Sequence, residues 1–146
     1  MQISKQGLEA LKLREGFRAK AYKDTADIWT IGYGTIRIDG VPVKEGDTIT
    51  IEKATECLLK DIKWAEDCVN KLTKVHLEQY QFDSLVSFVY NVGTAAYERS
   101  TLLRYLNEGK YLSAADQLLK WIYSGGKITP GLLNRRHSER KQFLGA

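Results

Sequence analysis

A change of hydrophobic period divides this chain and most constrains what it can fold into. From Ala21 to about Val43, Ile28, Thr30 and Gly32 alternate with Trp29, Ile31 and Tyr33. That two-residue repeat, rich in β-formers and broken by glycines, reads as strand. Asp39-Gly40 is a hairpin turn signal. The segment is therefore a small antiparallel sheet. Past Thr50, which stands as an N-cap, Leu58, Leu59, Ile62, Ala65, Val69 and Leu72 recur at three- and four-residue steps. The repeat predicts one helix over 51–72, about 30 Å long and able to tie two lobes together. Ser4 caps a short N-terminal helix with Ile3, Leu8 and Leu11 near one face, ending at Glu15-Gly16. The remainder reads as helix over 77–91, 101–107, 113–121 and 131–144, with breaks at Gly93, Gly109, Gly125-Gly126 and Pro130. The expected fold class is α+β. A small N-terminal antiparallel sheet lobe (about 15–50) is joined by the long helix (51–72) to a larger helical lobe (1–14 and 73–146). Clefts between lobes are common ligand sites.

Composition narrows the classes. The chain has 146 residues and is 43% hydrophobic, enough for one core without disulfide staples. Cys57 and Cys68, on one helix, would lie roughly 16 Å apart along its axis, too far for a disulfide. Two free thiols are expected, as in a reducing compartment. His76 and His137 are isolated, so no metal site is expected. The N-terminal stretch carries Lys5, Glu9, Lys12 and Arg14, and has no apolar run of signal-peptide or membrane-span length. A cytoplasmic protein is expected. Were its target outside the membrane, something else would have to release it. A net charge of +4 and a pI near 9.0 favour anionic partners without choosing among nucleic acid, anionic lipid and acidic wall polymers.

Among the acidic residues, Glu15 stands at a helix end directly before glycine. Asp24 follows nine residues later, at the start of the sheet, and Thr30 six residues beyond it. A carboxyl group on a helix end can thus face another carried by a hairpin. Two carboxyl groups across a gap are the minimum equipment for glycoside hydrolysis. One protonates the leaving oxygen while the other activates water or supports the oxocarbenium-like charge. A threonine hydroxyl can hold that water. A helix-end Glu paired to an Arg, and a turn Asp capping backbone amides, would explain the same residues, and spacing alone does not separate the two.

The run E-G-F-R-A-K-A-Y-K-D-T-A-D-I-W-T-I-G-Y-G, Glu15 to Gly34, resembles the signature of glycoside hydrolase family 24, the tailed-phage lysozymes or endolysins. The shared pattern is a Glu, eight residues, an Asp, five residues and a Thr, with E-G in front and T-I-G-x-G behind. Gln79 to Gly93 resembles that family's central buried helix, and Gly131 to Leu144 its C-terminal helix, so the likeness covers essentially the whole chain. One position departs. Where many members carry a histidine after T-I-G-x-G, able to brace the fold by an ion pair, this chain has Thr35.

The resemblance implies a lysozyme-like fold and a muramidase. Its substrate would be the β-1,4 bond between N-acetylmuramic acid and N-acetylglucosamine in peptidoglycan, cleaved with inversion and without cofactor. Glu15 would be the catalytic acid, Asp24 the second carboxylate and Thr30 the residue beside the attacking water. Tyr90, Asn91, Ile36 and Gln117 would line the saccharide cleft. Arg135 matches an arginine that pairs with the catalytic Glu, with Arg136 an equal candidate by motif. Peptidoglycan rather than nucleic acid is then the expected partner of a monomer, which would leave the host cytoplasm through holin-type pores. Three other readings stay open. They are a lytic transglycosylase acting on the same bond, a non-catalytic wall-binding module, and membrane disruption by the basic run Arg135, Arg136, His137, Arg140 and Lys141. That run could give weak contact with anionic outer-membrane lipid, though a solvated helix face explains it as simply. Tryptophans stack on sugars, but Trp64 and Trp121 are expected in the core, and Trp29 is left open.

Overall fold

The computed structural model describes all residues from Met1 to Ala146. The chain forms two compact units. One comprises Glu9–Lys63, the other Met1–Leu8 with Trp64–Ala146. Helix α1 (Lys5–Glu15) belongs to both. It starts where expected: Ser4 Oγ accepts the Gly7 N–H at 3.0 Å and the Ser4 carbonyl accepts that of Leu8. It ends where Gly16 turns to φ +73°, a conformation open to glycine and costly for other residues.

In the unit Glu9–Lys63, β1 (Arg18–Lys23) pairs antiparallel with β2 (Trp29–Gly32), Tyr22 opposite Thr30 and Lys23 opposite Trp29. The next hairpin joins β3 (Arg37–Ile38) to β4 (Val41–Pro42) through Asp39-Gly40. Both turn residues have positive φ, +50° and +83°, the backbone of the tight turn that matches strand twist. Helix α2 (Ile51–Asp61) is capped by Thr50, whose side chain accepts the Lys53 N–H at 3.2 Å. Its buried face, Ala54, Cys57 and Leu58, packs against β2, where Ile31 is fully buried.

The expected single helix over 51–72 is two helices. α2 ends at Asp61, and α3 (Lys63–Leu72) begins after Ile62, whose ψ of −4° leaves the helical range. Ile62 is fully buried and its N–H still reaches the Leu58 carbonyl at 2.9 Å. The apolar period therefore runs through the junction unchanged, and periodicity cannot register the break.

In the other unit, α4 (Gln79–Val92) is buried from Phe82 to Val89 and packs chiefly on α8 (Pro130–Phe143). Around it run α5 (Thr94–Glu98), α6 (Thr101–Asn107) and α7 (Tyr111–Gln117), with a 3-10 turn at Leu118–Lys120. The expected helix over 113–121 is thus shorter and displaced toward the N-terminus. Phe88 and Phe143 fill this core, with Tyr97, whose hydroxyl meets Thr73 Oγ1 at 2.7 Å. Burial pushes the Tyr97 phenol well above its ordinary pKa.

Reading this half as wholly helical misses a hairpin, β5 (Tyr123–Ser124) with β6 (Lys127–Ile128). Gly125-Gly126, both at positive φ, are its turn. Cys57 and Cys68 are free and buried, and burial raises both thiols' pKa. Trp64, expected in the core, is 42% exposed, and Trp121 is half-buried.

Candidate active site

Glu15 is the last residue of α1, where the fully buried Leu11 anchors the helix one turn back. The chain then turns at Gly16, and Phe17 packs a tilted ring on Tyr33, centroids 5.5 Å apart. Lys12 lies over the same Tyr33 ring at 5.8 Å. The turn after β2 comes up to the carboxyl: a Cβ on Gly34 would stand 3.8 Å from Glu15 Oε1. The helix end carrying Glu15 is therefore fixed against the sheet's second strand, not on a loose loop.

Asp24 follows the last residue of β1 and organises the turn to β2. Its Oδ1 accepts the N–H groups of Ala26 and Ile28, both at 2.9 Å, while its own N–H donates to the Ile28 carbonyl at 3.0 Å. Asp27 sits in this turn at φ +65°. Thr30, 4% exposed in β2, donates its hydroxyl to the same Ile28 carbonyl at 2.9 Å. The backbone of Ile28 thus couples Asp24, through its N–H and carbonyl, to Thr30, through its carbonyl. The amide-capping role that spacing alone allows for Asp24 is real, but it occupies Oδ1 and leaves the second carboxylate oxygen outside these bonds. The hydroxyl proton of Thr30 is committed to Ile28, so what Thr30 offers outward is an acceptor lone pair.

Thr35 is buried and donates to Asp61 Oδ2 at 2.9 Å. A hydroxyl-to-carboxyl hydrogen bond stands here, and burial holds the Asp61 carboxyl above its ordinary 3.8, with the Thr35 hydroxyl opposing. A carboxyl that ionises less readily folded than unfolded costs stability as pH rises from 3.8 through its raised value, and keeps that cost above it. Asp61→Asn, which can still accept from Thr35, should match the wild-type melting temperature at about pH 3, where the carboxyl is protonated in both states. At pH 7 it should melt higher. Thermal melts at the two pH values test this, and a lower melting temperature at pH 7 contradicts it.

Of the other expected site residues, Ile36 is 46% exposed beside β3, and its carbonyl accepts the Val43 N–H at 2.9 Å. It shares the unit Glu9–Lys63 with Glu15, Asp24 and Thr30, whereas Tyr90, Asn91, Gln117 and Arg135 belong to the other unit. Gln117 ends α7, half-buried. Tyr90, near the end of α4, stacks on Trp64 with centroids 5.9 Å apart and planes tilted by 32°. Trp64, expected in the core because its place in the apolar period reads so, is instead 42% exposed against Tyr90.

Arg135 donates from Nε to Glu139 at 3.1 Å and from Nη2 to the Ser87 carbonyl at 3.0 Å. Arg136 is 1% exposed, and it donates to Glu139 at 2.5 Å and to Asn91 Oδ1. The basic C-terminal run is therefore not one solvated face. Two of its arginines turn inward onto Glu139, a fully buried carboxylate that also accepts from Ser87 Oγ at 2.6 Å. Serines at 84 and 87, one turn apart among the buried Phe82, Leu85, Val86 and Phe88, are the sequence signal that could have revealed this cluster.

Comparison with known proteins places the chain. The sequence profile of the family described as Phage lysozyme matches residues 12–139. The endolysin of Salmonella phage P22 is 47% identical over 145 residues, covering 99% of both chains. The endolysin of Bacillus phage B103 is 48% identical, and the chain spans 54% of that longer protein. Among solved structures, the endolysin from Escherichia coli O157:H7 phage FAHEc1 superposes with a TM-score of 0.93 at 44% identity, over 99% of this chain and 94% of that one. The muramidase domain of SpmX from Asticaccaulis excentricus superposes with a TM-score of 0.88 at 36% identity, over 98% and 97%.

Proposed function

The chain belongs to the phage lysozyme family, and from that premise we propose that Glu15, Asp24 and Thr30 are its catalytic residues. It is a lysozyme, a glycoside hydrolase of bacterial cell walls, as its endolysin and muramidase likenesses support. The bond attacked is the β-1,4 link between N-acetylmuramic acid and N-acetylglucosamine. Glu15, carrying its proton, acts as general acid on the leaving oxygen. Asp24 acts as general base on a water, and Thr30 accepts that water's other hydrogen, which turns its lone pair toward the anomeric carbon. The coupling of Asp24 and Thr30 through the backbone of Ile28 is the observation that carries this reading. One residue's backbone sets the spacing of two acceptors, as a positioned water requires. Tyr90, Asn91, Ile36 and Gln117 would contact the glycan, and Arg135 would brace the acid.

A water activated by Asp24 attacks from the face opposite the leaving group, so the product inverts. Proton NMR of the first product formed on soluble peptidoglycan fragments should show the α-anomer, later mutarotating to a mixture of α and β anomers. An initial β-anomer, or a glycosyl adduct on Asp24, contradicts inversion. No helix of the structure is long and apolar enough to cross a membrane. We propose release from the host cytoplasm through pores made by another protein.

A further inference from the structure

At the carboxyl end of α4, Asn91 borders a depression of about 450 Å³ that is also lined by Lys120, Trp121, Tyr123 and Arg136. Arg136 closes its inner side. The guanidinium donates from Nε to the Trp121 carbonyl at 2.9 Å, from Nη1 to Glu139 at 2.5 Å and from Nη2 to Asn91 Oδ1, and it lies 5.0 Å over the Phe88 ring. Glu139 is itself held by Ser87 and Arg135. With all three of its nitrogens engaged and 1% exposure, the guanidinium has no freedom to turn.

A guanidinium only donates. The amide oxygen of Asn91 must therefore face it, and the NH2 must face the other way. That NH2 has no acceptor within the chain, although the residue is exposed. A freely rotating asparagine would offer solvent a donor or an acceptor equally. This one is limited to a donor, in a depression that Lys120 also lines.

We propose that Arg136 is a positioning residue that locks Asn91 as a hydrogen-bond donor for a carbonyl or carboxylate oxygen of the substrate. The proposal rests on the lysozyme reading for the identity of that substrate. Two parts of peptidoglycan carry such oxygens, the N-acetyl groups of the glycan and the carboxyl groups of the peptide stem. A lysine lining the same depression suits either, and the chemistry required of the ligand is the same.

The test is direct binding of soluble peptidoglycan fragments, with and without their peptide stems, by calorimetry in the Glu15→Gln background. Asn91→Asp keeps an oxygen facing Arg136 and exchanges the outward donor for an acceptor. It should weaken binding about tenfold, the worth of one hydrogen bond, without lowering the melting temperature. If the stem supplies the oxygen, only stem-bearing fragments show the loss; if the N-acetyl group does, both show it. Arg136→Lys, which cannot hold the amide in the same fork, should weaken binding in the Asn91 protein and add no further loss in the Asn91→Asp protein. Unchanged binding by Asn91→Asp overturns the proposal, as does an equal effect of Arg136→Lys in both backgrounds. Failure of the wild type to cleave fragments that it binds would instead overturn the lysozyme reading and leave the donor assignment standing.

Discussion

Glu15→Gln yields a folded protein that no longer clears a peptidoglycan suspension. The side chain keeps its shape and can still accept and donate hydrogen bonds, but it has no acidic proton for the leaving oxygen. General acid catalysis contributes about 10²–10⁴ in rate, so turnover should fall by at least 100-fold. Stability should hold, because Glu15 is half-buried at a helix terminus whose position depends on the buried Leu11 and the turn at Gly16. Turbidity assays paired with a thermal melt separate the two effects. Lysis within a few-fold of wild type would show that the proton comes from elsewhere. A collapsed melting temperature would show that Glu15 holds the fold rather than the reaction.

Glu139→Ala should be among the most damaging single changes to stability. The carboxylate is fully buried and accepts from Arg135, Arg136 and Ser87. Removing it leaves Arg136 charged and 1% exposed, in a place where water cannot replace the lost partner. Breaking a buried pair by deleting one member costs about 3–5 kcal/mol. For a chain of this length that is a drop of about 10 °C in melting temperature. Burial alone already pushes the Arg136 pKa below that of a free guanidinium, with Glu139 acting in the opposite direction. Glu139→Gln, which retains an acceptor but not the charge, should fall between the alanine variant and wild type. Denaturant unfolding checks both, and a loss under about 1 kcal/mol for the alanine variant would mean that the cluster relaxes or hydrates.

What was legible in the chain follows from what local chemistry can encode. The Asp39-Gly40 turn, the Thr50 and Ser4 caps and the helix end at Gly16 all appear in place, because each is decided by a few adjacent residues. The elements that escaped are those with no local signature or an ambiguous one. Ile62 interrupts a helix without interrupting its apolar period. Gly125-Gly126 reads as a break until the strands either side pair. Trp64 stands at a core position of the repeat but lies 42% exposed, against Tyr90.

The site divides in the same way. The spacing of Glu15, Asp24 and Thr30 is written in the sequence, and so is the family likeness. Their coupling through Ile28 is not, since it depends on how the turn at Asp24 closes. Nor could the sequence choose between Arg135 and Arg136. Both reach Glu139, and Arg136 also donates to Asn91. A run of basic residues in one dimension turned out to contain a buried charge network in three.

The central claim is that this chain hydrolyses the glycan through Glu15 and an activated water. Digestion of purified peptidoglycan by wild type and by Glu15→Gln, with masses of the released fragments, tests it most directly. The account predicts fragments from wild type ending in reducing N-acetylmuramic acid, each one water heavier than the corresponding anhydro form, and no fragments from Glu15→Gln. Anhydro ends would contradict it by showing that water is not the nucleophile, and fragments released by Glu15→Gln at a rate within a few-fold of wild type would contradict it by showing that Glu15 is not the acid.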